Sequence, residues 1–150
     1  EMNFYGDLIY LNRDFSWREE MFNEIGKVLI EKEMVKPVYI EEILKREENF
    51  PTGLDLGYMQ VAMPHVEAKY VNDNAVFIVT TKNGVEFENA EDDGMVNSKI
   101  IFGLIVKDSD KHLDFLMKLT ELFQKEEALK KIYDPTDVEE VITILKQNLI

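Results

Sequence analysis

No cysteine occurs among the 150 residues, which excludes disulfide staples, thiolate metal sites and cysteine nucleophiles. Long apolar runs are missing too. None approaches the ~20 residues of a bilayer-spanning helix, and Met2 to Asp7 lacks a basic region followed by an apolar core, so the expectation is a cytoplasmic chain without direct membrane insertion. Basic residues are scarce: 17 Lys and Arg stand against 30 Asp and Glu, a formal net charge of -13. Nucleic-acid binding depends on cationic neutralisation of phosphates, so that class is disfavoured and a basic protein partner is favoured. There is no GxxxxGK[ST] phosphate loop, no GxGxxG after a strand and no GxSxG elbow, and Asp92-Asp93-Gly94 is too short for a calcium loop. Direct use of ATP or nicotinamide is therefore not expected, and neither an organic cofactor nor a metal is called for. Histidine itself is nearly absent, with only His65 and His112.

The length suits a single domain over residues 1–150, able to bury about two thirds of its unfolded surface without staples. Ser16-Trp17-Arg18-Glu19 has the form of a capping box opening a helix to about Lys32, with Met21, Phe22, Ile25, Val28 and Leu29 on one face. Lys36-Pro37 breaks the chain, and a second helix runs from Val38 to about Glu48 with Ile40, Ile43 and Leu44 inward and Arg46 in its last turn. Strands are expected at Met59–Met63 and Ala75–Thr81, then a hairpin turn at Asn83-Gly84, a partner strand through Val85 and Phe87, and a central strand over Ile100–Val106. Leu113, Leu116, Met117, Leu119, Leu122 and Phe123 mark the next helix, capped by Asp108, Ser109 or Asp110. Asp134-Pro135 opens the last. The fold class is α/β: one three-layer domain with a mixed β-sheet flanked by helices on both faces.

The chemistry centres on His65, which ends the strand-like run Val61-Ala62-Met63-Pro64. An imidazole with an ordinary pKa of ~6.5 offers a neutral ring nitrogen at pH 7, and phosphoryl transfer asks mainly for in-line positioning and for donors around the equatorial oxygens. Arg46 can supply a bidentate fork, Thr52 a hydroxyl, and the turn at Gly53 backbone amides. His112, expected in the first turn of a helix, stays neutral because the helix dipole disfavours imidazolium there. Taken singly, each residue has a plainer reading as a helix-end cation, a turn or a structural histidine. His65, His112 and a carboxylate also leave a metal-dependent hydrolase open, although their spacing is not a recognised ligand pattern.

Arg46-Glu47, Pro51-Thr52-Gly53 and Ala62-Met63-Pro64-His65 together resemble enzyme IIA of the mannitol, fructose and galactitol class in the phosphoenolpyruvate-dependent sugar phosphotransferase system, over the stretch from about Trp17 to the C-terminus. The resemblance implies a phosphohistidine carrier. His65 would accept a phosphoryl group from the phosphocarrier protein HPr and pass it to a cysteine of an enzyme IIB, and through it serve a membrane IIC. Arg46 and His112 would assist, with Glu47 joining Thr52 and Gly53 at the phosphate by anchoring Arg46 or the loop. Many mannitol and fructose forms carry glycine directly after the active histidine. Val66-Glu67-Ala68 in this chain looks more like the galactitol branch. The rival within the same family is a regulatory domain signalling through His65.

Overall fold

The computed structural model describes residues 1–150. Its strands are β1 (Ile9–Tyr10), β2 (Gly53–Asp55), β3 (Gln60–Ala62), β4 (Ala75–Glu88) and β5 (Met95–Ile105), joined in one sheet in the order β1-β4-β5-β3-β2. The β4–β5 and β2–β3 pairs are antiparallel, while β1–β4 and β3–β5 are parallel. Alternate residues of the inner strands enter opposite cores. Ala75, Phe77, Val79, Ile101 and Ile105 face α1 (Arg18–Glu31) and α2 (Tyr39–Asn49), which contribute Met21, Phe22, Ile25, Leu29, Tyr39 and Ile43. Val76, Ile78, Ile100, Phe102 and Leu104 face α3 (Ser109–Phe123), α4 (Glu126–Tyr133) and α5 (Val138–Leu149) through Phe115, Leu119, Leu122, Leu129, Ile132, Val141 and Leu145. Burying each such side chain contributes about 1.5–3 kcal/mol. The three-layer α/β architecture with a mixed sheet is thus the observed one.

Several local expectations are corrected. Ser16 does not cap α1. The extended Trp17 occupies the cap position without a side-chain bond, and Arg18 anchors the helix start by donating to the Glu86 carbonyl at 3.3 Å and lying 3.7 Å from Glu88. Asn83-Gly84 is not a hairpin turn. β4 continues through it to Glu88 with a register shift against β5 between Thr80 and Val85, and Gly84 adopts φ +82° with the Asn97 side chain packed against it. A bulge and a tight turn demand the same positive φ, so an Asn-Gly pair serves either. The reversal falls at Asn89–Gly94, closed by the Asn89 amide donating to the Gly94 carbonyl at 3.0 Å. α4 is an additional helix. The cap of α5 lies past Asp134, at Asp137, which accepts from the Glu140 amide at 2.9 Å while Glu140 accepts from the Thr136 amide at 3.2 Å. α3 is rotated from the expected face, because Phe115 takes a core place and leaves Leu113 and Met117 exposed.

Candidate active site

His65 stands just beyond β3, where parallel pairing extends one step further: the Leu104 amide donates to the Pro64 carbonyl at 3.0 Å, and His65 bridges to Leu104. His65 is only 8% exposed. Its Nδ1 lies 2.8 Å from the Met63 carbonyl oxygen. A carbonyl only accepts, so Nδ1 carries the hydrogen and the neutral ring keeps its lone pair on Nε2. Burial is the main force lowering the His65 pKa, to about 4, with His112 and Arg46 adding smaller pushes and the Met63 bond opposing them. At pH 7 roughly one ring in a thousand is then protonated.

His112 is the fourth residue of α3 and half-buried, its ring centroid 4.9 Å from that of His65 at an interplanar angle of 69°. Its pKa is lowered as well, first by burial and then by Arg46. The neutral form expected from the sequence is therefore favoured, with burial as the leading cause. Arg46 sits in the last turn of α2 with its guanidinium 4.9 Å from the Phe50 ring centroid, a cation–π contact. Its Nε is buried without a hydrogen-bond partner. A donor left unsatisfied in this way is unusual and needs an explanation.

These three side chains line one open cleft of about 710 Å³, together with Glu67, Ala68, Lys69, Lys107, Ser109, Leu113 and Leu116. The structure does not bring Thr52, Gly53 or Glu47 into that lining. The Thr52 amide and hydroxyl are both spent on the buried Glu47 carboxylate, at 3.2 and 2.6 Å. Gly53 is a strand residue paired with Ala62, where a Cβ would collide with Val96 and the Glu88 carbonyl. Thr52 and Gly53 are thus engaged with other partners, while Glu47 ties down the turn after α2, and burial raises its pKa despite the two Thr52 bonds. Sequence reasoning missed Lys69 and Lys107. Lys69 lies four residues beyond His65 and Lys107 five before His112, and a cation count around each histidine would have found both. The arrangement offers a neutral nucleophilic nitrogen, a second neutral imidazole beside it, and an open cleft whose lining includes the cations Arg46, Lys69 and Lys107 and one carboxylate, Glu67. No group of three or more His, Cys, Asp or Glu side chains is placed to hold a metal ion, so the hydrolase alternative lacks a ligand set.

Residues 2–148 match the family described as "Phosphoenolpyruvate-dependent sugar phosphotransferase system, EIIA 2". The chain belongs to this family. As an EIIA it is a phosphotransferase component, a phosphohistidine carrier in the uptake of sugars or sugar alcohols. It is 30% identical over 132 residues to the galactitol-specific EIIA component of Escherichia coli K12, covering 88% of this chain and 82% of that protein. It is 29% identical over 147 residues to the mannitol-specific phosphotransferase enzyme IIA component of Staphylococcus aureus Mu50, covering 96% and 95%. Its fold is shared with enzyme IIA-mannitol in the solved complex with phosphorylated enzyme IIB-mannitol from Escherichia coli, with a TM-score of 0.79 and 23% identity over 98% of this chain and 99% of that one.

Proposed function

We propose that residues 1–150 act as one EIIA domain in which His65 Nε2 accepts the phosphoryl group of phospho-HPr and delivers it to the cysteine of a cognate enzyme IIB. The observation that carries this is the Nδ1–H bond to the Met63 carbonyl, which leaves Nε2 as the free nitrogen of a ring lining the cleft. As the bond from Nε2 to phosphorus forms, the donor nitrogen recovers its electron pair from the breaking bond. The ring gains positive character that the Met63 carbonyl stabilises. Arg46, with its orphan Nε, and neutral His112 serve the equatorial oxygens, which a loose transition state leaves rich in charge. Glu47, Thr52 and Gly53 act through the turn that follows Arg46.

Incubation with phosphoenolpyruvate, the first enzyme of the system and HPr tests this: one acid-labile, base-stable phosphoryl group per chain is expected, and none in His65→Ala. Labelling of His65→Ala at the wild-type level would overturn the assignment. The finer reading is galactitol, supported by Val66-Glu67-Ala68 following His65 where many mannitol forms have glycine. Transfer to a galactitol enzyme IIB is then faster than to a mannitol enzyme IIB, and the reverse order refutes that choice.

A further inference from the structure

Asn74 is 2% exposed and lies outside the cleft, yet both ends of its amide are used on the segment that delivers His112. Oδ1 accepts the Lys107 amide hydrogen at 2.8 Å, and Nδ2 donates to the Asp108 carboxylate at 3.0 Å. That bond is the largest influence holding the Asp108 carboxyl below its usual range, ahead of Lys107 and Lys111. Asp108 occupies the cap position of α3 but gives the helix no side-chain bond. Capping is what an aspartate ordinarily does there, so its carboxylate has been drawn elsewhere. Lys107 and Ser109 on either side line the cleft, whereas Asp108 does not. We propose that Asn74 is a positioning residue for phosphoryl transfer: it fixes where α3 begins, and so where His112 stands against His65, and it holds the Asp108 carboxylate out of the cleft.

The inference rests on the phosphocarrier reading, because a displaced His112 and a released carboxylate matter only where an anion must be received. Two physical effects act together. The His65–His112 centroid distance of 4.9 Å is set across a sheet end, so an untethered α3 start transmits its shift directly to the second imidazole. A misplacement of about 1 Å in such a constellation costs up to roughly a hundredfold in rate. A freed carboxylate beside the cleft also repels the incoming phosphoryl oxygens.

The test uses the full chain. Asn74→Asp keeps an acceptor for the Lys107 amide but sets a second carboxylate against Asp108. The exchange Asn74→Asp/Asp108→Asn restores a donor and an acceptor in reversed places. Asp108→Ala cuts the same link from its less buried end and serves if the single Asn74 variant does not fold. Assigned imidazole NMR is expected to show the His112 midpoint rising toward ~6.5 and the His65–His112 ring proximity lost in Asn74→Asp and Asp108→Ala, with both restored in the exchange. Single-turnover acceptance from phospho-HPr is expected to slow roughly tenfold to a hundredfold in the saturated rate, with half-saturation little changed, and to recover in the exchange. Wild-type ring signals in all three variants, or an exchange no better than Asn74→Asp, overturns the proposal. Failure of the phosphocarrier reading shows differently, as a wild-type chain that gains no phosphoryl group, while the NMR arm still decides the tether.

Discussion

Lowering the pH from 7 to 5 should weaken the folded state through His65 in an amount that can be worked out. The unfolded ring titrates near 6.5 and the buried ring near the lowered value of about 4. Above pH 6.5 both states hold a neutral ring and His65 contributes no pH dependence. Below it the unfolded chain takes up a proton that the folded chain refuses, so stability falls as pH falls and levels off near pH 4. The full difference is about 3 kcal/mol, of which about 2 kcal/mol is lost between pH 7 and pH 5. His112 has the same sign. Glu47 has the opposite one, since its raised folded pKa makes the native state bind a proton first on acidification. Comparing the wild type with His65→Gln removes these shared contributions. Urea unfolding followed by far-UV circular dichroism suits the measurement, because the single tryptophan, Trp17, is already 64% exposed and reports little. The wild type should lose about 2 kcal/mol more than His65→Gln over that range. Equal losses, or an assigned His65 resonance titrating near 6.5 in the native protein, would refute the buried-neutral account of the site.

Thr52→Val should destabilise by about 1–3 kcal/mol in denaturant titrations, because it leaves the buried Glu47 carboxylate without its 2.6 Å hydroxyl donor, and a variant as stable as wild type would refute that role. Arg46→Gln should slow phosphoryl acceptance by roughly a hundredfold in single-turnover kinetics while the far-UV spectrum stays unchanged; an unaffected rate removes Arg46 from the chemistry. Gly103→Ala should cost about 1–3 kcal/mol by calorimetry or denaturant, since the added Cβ falls on the Phe77 ring, and Phe77→Leu should recover part of the loss if the collision is the cause.

Layering was legible in the sequence because it follows from continuous apolar runs: Ile100 to Val106 read as a central strand covered on both faces and is buried throughout, and Ala75 to Thr81 read as a strand and is one. What was not legible depended on partners far along the chain. Gly84 supplies a positive φ whichever strand lies opposite, and only Asn97 and the shifted β5 register decide that β4 carries on through it. Leu113 and Met117 carry the helical spacing of core residues, but Phe115 fills the core and turns them outward. Thr52 and Glu47 lie five residues apart and look like two independent polar groups; their mutual bond appears only once the turn after α2 closes and both are buried. His65, His112 and Arg46 stood out by scarcity and by type, whereas proximity in sequence marks Lys69 and Lys107 no more than it marks Lys111, which adjoins His112 and does not line the cleft.

The location of the cleft follows from one pair of strands. β3 and β5 run parallel, with Val61 opposite Ile100 and Ala62 opposite Ile101, so both chains leave the sheet at the same end. Carboxyl ends of parallel strands are where open α/β sheets present their sites. His65 follows β3 directly, and His112 follows β5 by way of Lys107, Asp108 and the first turn of α3. Arg46 arrives from the other layer, on α2, which packs against the opposite face of the sheet. The two imidazoles and the guanidinium therefore draw on both cores, and main-chain bonds such as Leu104 to Pro64 set the nucleophile's place without depending on side-chain identity. Side chains are left to tune what the backbone has positioned. That is why the residues proposed to govern the reaction from outside the cleft, Asn74 and Glu47, are buried polar groups that bond to backbone amides at the edges of α3 and β2.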